Sequence, residues 1–160
     1  MARTAIFSIL SAFMALFLFS VSGHAADPKP VRFDRAPLTI VKQDGTRHAF
    51  TVELALTSAQ REHGLMYREQ MAANEGMLFD FGTERRITMW MRNTILPLDM
   101  VFIDPKGTVI GIHKDAEPFS ETIIDSGRPA AFVLELNAGI TTDLGIRTGD
   151  RIENNRIPQR

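Results

Sequence analysis

Along much of this chain, apolar and polar residues alternate with a period of two, in short runs broken by turn residues. Leu38-Thr39-Ile40-Val41 opens the first run, Asp44-Gly45 is a hairpin turn pair, and His48 to Leu56 returns as a second strand. On that second strand Phe50, Val52, Leu54 and Leu56 share one face, and Thr51, Glu53 and Ala55 share the other. Alternation this regular predicts one buried and one wetter face. Thr57-Ser58-Ala59-Gln60 has capping-box spacing, so a short helix should follow and stop at Gly64. Gly76 to Gly82 and Ile87 to Asn93 read as further strands. Leu98 to Ile103, the turn Asp104-Pro105-Lys106-Gly107, and Thr108 to His113 form a second hairpin. Ala130 to Leu136 is another strand, Asn137 to Ile146 holds a helical turn or short helix, and Asp150 to Glu153 adds an edge strand. Strands never alternate with long helices, so a doubly wound parallel sheet is not expected. The predicted class is mainly β (α+β), a compact antiparallel sheet or barrel with one or two short helices.

The N-terminal residues follow a different pattern. Arg3 is followed by the uncharged apolar run Ala5 to Val21, and Gly23-His24-Ala25 places small residues where a signal peptidase reads them. The expectation is a secretory signal over residues 1–25, removed after Ala25; an uncleaved anchor is the alternative. A charged, proline-bearing extended leader over 26–37 should then lead into one β-rich domain over 38–160. The expected location is periplasmic or secreted, with no membrane association once the signal is gone. Beyond the signal, 17 basic residues face 19 acidic ones with no basic run, which argues against nucleic acid as a partner. The chain has no cysteine, so an exported form must rely on its core rather than on disulfides. A thiol nucleophile and a thiolate metal site are excluded with them.

The block from Gly64 to Asp104 carries Gly64-Leu65-Met66, Gly76-Met77-Leu78-Phe79, Met89-Trp90-Met91-Arg92-Asn93-Thr94 and Pro97-Leu98-Asp99-Met100-Val101-Phe102-Ile103-Asp104. With Val133-Leu134-Glu135-Leu136 and Gly149-Asp150, these motifs resemble, in order and spacing, the bacterial and archaeal domain-of-unknown-function family numbered 192. The resemblance runs from about Leu38 to Ile152. It implies a family and no settled reaction.

Candidate chemistry therefore rests on individual residues. Met89 and Met91 share a strand face with Ile87; they suggest Cu(I), which soft thioethers suit, with His48, His63 or His113 as a third ligand. Their plainer reading is core packing. Trp90, the single tryptophan, shares its face with Thr88 and Arg92, so it is either a ring closing the barrel or a partly exposed platform for a ligand. Asn93, Thr94 and Asp99 flank a bend at Pro97, where they either fasten the turn or stand at the mouth of a pocket. Glu135 points with Val133, away from Phe132, Leu134 and Leu136, which suits a solvated face. If Glu135 instead meets Asp99, the two could serve as the acid–base pair of an envelope hydrolase with Asn93 orienting the substrate, or hold a hard cation.

Nucleophile-elbow, zinc-protease, P-loop and dinucleotide signatures are absent from the sequence. The expectation is a non-enzymatic, monomeric binding module for a small molecule or envelope component, without a cofactor. Trp90, Arg92, Asn93 and Asp99 are its expected site residues, and Trp90, Asn93 and Asp99 should share one rim.

Overall fold

The computed structural model describes residues 31–158, so the expected signal and the first five residues of the leader lie outside the described residues. Nine strands and two short helices follow in the order β1 (Asp34–Val41), β2 (Arg47–Ala55), α1 (Ser58–His63), β3 (Glu75–Arg85), β4 (Thr88–Met89), β5 (Leu98–Ile103), β6 (Val109–Ala116), β7 (Ile124–Asp125), β8 (Ala130–Asn137), α2 (Ile140–Asp143) and β9 (Arg151–Glu153). Seven strands make one sheet in the order β6-β5-β8-β3-β2-β1-β9, while β4 and β7 pair as a separate ribbon. The large sheet curls until its two edges meet. Thr108 bridges Arg151, and the N–H groups of Val109 and Ile152 donate to the carbonyls of Asp150 and Gly107 at 2.8 and 2.7 Å.

Local chemistry explains most of the turns. Gly45 takes φ +85° between β1 and β2, where the Asp44 carboxylate accepts the Thr46 N–H at 2.9 Å. The Asp104 carboxylate caps the β5–β6 turn by accepting the N–H groups of Lys106 and Thr108, each at 2.8 Å. At the start of α1, Thr57 accepts from the Gln60 N–H while the Gln60 side chain accepts from the Thr57 N–H, so the capping box is complete. This helix carries the chain over to β3, which runs parallel to β2; every other pairing in the large sheet is antiparallel.

Both faces of the central strands are buried. On the concave side Leu38, Ile40, Val52, Leu78, Val101 and Leu134 belong to one core. On the other side Met77, Phe79, Met100 and Val133 pack with Leu65, Ile87, Met91 and Ile124 into a second core. Those covering residues come from the loop after α1 and from the segments around the β4–β7 ribbon. Every residue of β5, and every residue of β8 from Ala130 to Leu136, is buried as a result.

Several boundaries differ from the sequence expectation, and β3 runs on past Gly82 to Arg85. The strand expected from Leu38 begins at Asp34 and runs through Pro37, which faces Thr51 on β2. β9 pairs only with Thr39 to Val41, so at Pro37 the other side of β1 is free of a ladder and proline's missing N–H costs no bond. The strand expected over Ile87 to Asn93 shrinks to Thr88–Met89 and pairs with β7 instead of joining the large sheet. β6 extends past His113 to Ala116, whose partner is Leu98. Among the described residues, no helix is long and apolar enough to cross a membrane.

Candidate functional site

A cleft of about 410 Å³ opens on the second core, between α1 with its following loop, β3, and the segment from Thr88 to Thr94. Its walls include Leu65, Met66, Phe79, Phe81, Met89 and Ile123. Trp90 and Arg92 line it as well, with Trp90 40% exposed and the Arg92 guanidinium 4.2 Å from the centre of the indole. That stacking extends a flat, cationic platform at the cleft's edge. On the β3 side, Arg61 and Arg85 lie 5.5 and 5.1 Å from the Phe81 ring. Arg61 also donates to the carbonyls of Leu56 and Asp80, at 2.6 and 2.9 Å, which fixes its guanidinium.

Glu135 contributes to the same cleft and is only 4% exposed. Its cross-strand neighbours are Met77 on β3 and Met100 on β5, neither of which offers a donor side chain. No side-chain hydrogen bond or ion pair links its carboxyl to any described residue. Burial pushes its pKa up to about 8, so the neutral acid is the main form at pH 7. The expected solvated face is thus overturned: the second core covers this side of the sheet, and the carboxyl's opening is into the cleft.

Asp99 is placed quite differently. It is fully buried, and its carboxylate accepts the Asp115 N–H at 3.0 Å, the Thr141 N–H at 2.9 Å and the Thr141 hydroxyl at 2.6 Å. Burial opposes its ionisation, but the Thr141 hydroxyl and the backbone donors outweigh burial and hold the pKa below the ordinary value. In the β5–β8 register Asp99 faces Leu136 and Met100 faces Glu135. Residues paired across a ladder point the same way, so Asp99 and Glu135 lie on opposite faces of the sheet. The two-carboxylate arrangement is absent. Asp99 is a latch that ties β5 to β6 and α2.

Asn93 is also structural in its contacts. It has φ 58°, accepts the Tyr67 N–H on its backbone carbonyl at 2.9 Å, and points its amide at the Met66 sulfur 3.9 Å away. The rim expected to hold Trp90, Asn93 and Asp99 together therefore reduces to Trp90 and Arg92, with neither Asn93 nor Asp99 in the cleft lining. Met91 is buried in the second core, whereas Met89 reaches the cleft, so the pair does not present two sulfurs to one ion. The histidines are dispersed. His63 lines the cleft, His113 faces Met100 on β6, and the buried Nε2 of His48 has no partner on β2. Among the described residues, no group of three or more His, Asp or Glu side chains could hold a metal ion.

Three loops meet at the cleft mouth and are laced by backbone bonds. Phe119 donates to the Thr94 carbonyl at 3.1 Å and Met91 to the Ser120 carbonyl at 2.9 Å, beside the Tyr67–Asn93 bond. Tyr67 and Phe119 both take φ 62° and are 65% and 61% exposed. Holding such residues in the left-handed region costs roughly 1 kcal/mol or more each, which the lacing must offset. The sequence reading missed Phe81 and Arg85, and met His63 only as a possible third copper ligand. Phe81 could have been found from the β3 alternation, since Met77, Phe79 and Phe81 share a face.

The molecule is thus a small curled β-sheet domain with a second core and a cleft set into it. The sequence profile of the family DUF192, described as Uncharacterized ACR, matches residues 39–154, and the chain belongs to that family. Among solved structures, it is similar to a Sinorhizobium meliloti 1021 protein named "putative transcription regulator". The two share 53% identity and a TM-score of 0.77 over 78% of this chain and 97% of that one. It is also similar to a protein of unknown function from Novosphingobium aromaticivorans DSM 12444, at 41% identity and a TM-score of 0.70 over 73% and 83% of the two chains. No curated protein matches.

Proposed function

We propose that the chain is a non-enzymatic binding domain that takes a small molecule with an apolar body into the cleft beside Trp90. One observation carries the reading: a buried carboxyl, Glu135, that no described residue satisfies and that opens into an apolar cleft. A carboxyl without a protein partner that faces an otherwise apolar cleft is the kind of convergent polar group that orients a small ligand. Trp90 with Arg92 supplies a stacking surface, and the walls supply dispersion contact. Acid–base hydrolysis by Asp99 with Glu135 is not carried forward, because the sheet separates them. The regulator designation belongs to the Sinorhizobium protein; a net charge of −1 without a basic run gives this chain no support for tracking nucleic-acid phosphates.

Titration of Trp90 emission with sugars, nucleosides, amino acids and cell-wall fragments is the direct test. Trp90→Ala should weaken any ligand found this way by ~10-fold when followed by calorimetry. An unchanged affinity for every such ligand would place the site elsewhere. The apolar run before Ala25 supports export as the setting of this binding. Sequencing the N-terminus of the protein recovered from a bacterial envelope fraction should give Ala26 as the first residue, and an intact Met1 would end that proposal.

A further inference from the structure

Resting on that reading of the cleft, we infer that its ligand is bipolar: a cationic nitrogen meets Glu135 at the base, and a carboxylate meets Arg85 and Arg92 at the mouth. Amino acids and short peptides with an apolar body belong to this class. The donors and acceptors of the cleft set the charge pattern of what can fill it. Glu135 has two oxygens and no described partner for either, with Met77 and Met100 as its ladder neighbours. A ligand carboxylate can only take the acid's single proton, and a hydroxyl brings one donor at most and no charge to balance the ionised form. An ammonium brings three donors, and a guanidinium brings a planar pair, so either satisfies both oxygens and neutralises the charge together. The ionisable groups facing the cleft are Arg61, Glu62, His63, Arg85, Arg92 and Glu135.

The mouth has the complementary need. Arg61 is committed to the carbonyls of Leu56 and Asp80. Arg85 and Arg92 lie over Phe81 and Trp90, and neither is within ion-pair distance of a carboxylate among the described residues. A purely cationic ligand would meet Glu135 but leave these guanidinium groups unanswered, and a purely anionic one would do the reverse. A zwitterion answers both, with its apolar middle against Leu65, Phe79 and Met89. Because Glu135 is mainly protonated at pH 7, pairing with a cation must expel that proton.

The probes are a graded series of ω-amino carboxylates from aminobutyrate to aminooctanoate, set against alkylamines, alkanoates and ω-carbamoyl carboxylates of equal length. Affinities are read by Trp90 emission and by calorimetry at pH 7 in buffers of differing protonation enthalpy. One length of amino carboxylate should bind at least ~10-fold tighter than its matched amine, alkanoate and amide, releasing nearly one proton per ligand. Glu135→Gln should abolish the proton release and weaken that ligand by ~30-fold or more, leaving alkanoate affinity and the circular dichroism spectrum unchanged. Equal or tighter binding of alkanoates or amides, or binding without proton release, overturns the bipolar ligand while the cleft remains a binding site. A response to sugars or nucleosides alone has the same meaning. Silence from all of these compounds removes both the ligand class and the cleft reading.

Discussion

Asp99 and Glu135 are both buried carboxyl groups on adjacent strands, one residue out of register, and they meet opposite fates. Asp99 points to the face where the end of β6 and the start of α2 converge, and three donors hold it ionised. Glu135 points to the face covered by methionines and phenylalanines, finds no donor, and is held neutral by burial. Equal depth therefore says little about the role of an acidic residue. The supply of donors decides whether burial makes a latch or leaves a group ready for an incoming partner.

The latch should show the larger loss of stability. Asp99→Ala strands the Thr141 and Asp115 donors in a dry site and should cost about 3 kcal/mol or more in a urea titration. A loss under ~1 kcal/mol would mean that Asp99 carries no more of the fold than an average position. Thr141→Val removes the hydroxyl alone and should cost about 2 kcal/mol, since the hydrogen bond is to a charged group. It should also move the onset of acid unfolding to higher pH. The folded-state pKa of Asp99 lies below its unfolded value, so its contribution is present above about pH 4 and is lost as pH falls through the folded value. An unchanged onset would show that another carboxylate governs the acid limit.

Glu135 should give the opposite slope. Its folded pKa of about 8 lies above its unfolded value near 4.5, so its contribution is full below 4.5 and declines as pH rises through 8. Between those limits stability should fall by roughly 1.4 kcal/mol per pH unit, and Glu135→Gln should flatten that stretch of the profile. Parallel profiles for the two proteins would mean that Glu135 ionises as freely in the fold as in the unfolded chain.

How much of this could be read beforehand follows the distance over which each feature is decided. The Asp44-Gly45 hairpin, the Thr57–Gln60 capping box and the Asp104 turn are settled within five residues, and all three stand as read. The face Glu135 points to was also legible, because alternation along β8 is local. Its burial was not, since that depends on Leu65, Ile87, Met91 and Ile124 arriving from distant parts of the chain. The separation of Asp99 from Glu135 needed the β5–β8 register, which no single strand encodes. β4 stopped early because Met91 donates to Ser120 rather than to a neighbouring strand. Asn93 was drawn from the site into the loop lacing by the same kind of long-range bond.

The position of β1 between β2 and β9 has a consequence for the order of events during synthesis. Of the two ladders on β1, one forms with a strand made moments later, and the other waits for residues 151–153. The same late residues also close the sheet edge onto Thr108. Until residue 151 has been made, neither the second ladder of β1 nor the bridge to Thr108 can form. The sheet's edges cannot meet before those residues emerge, and pairings between residues so far apart in sequence are the kind that slow folding.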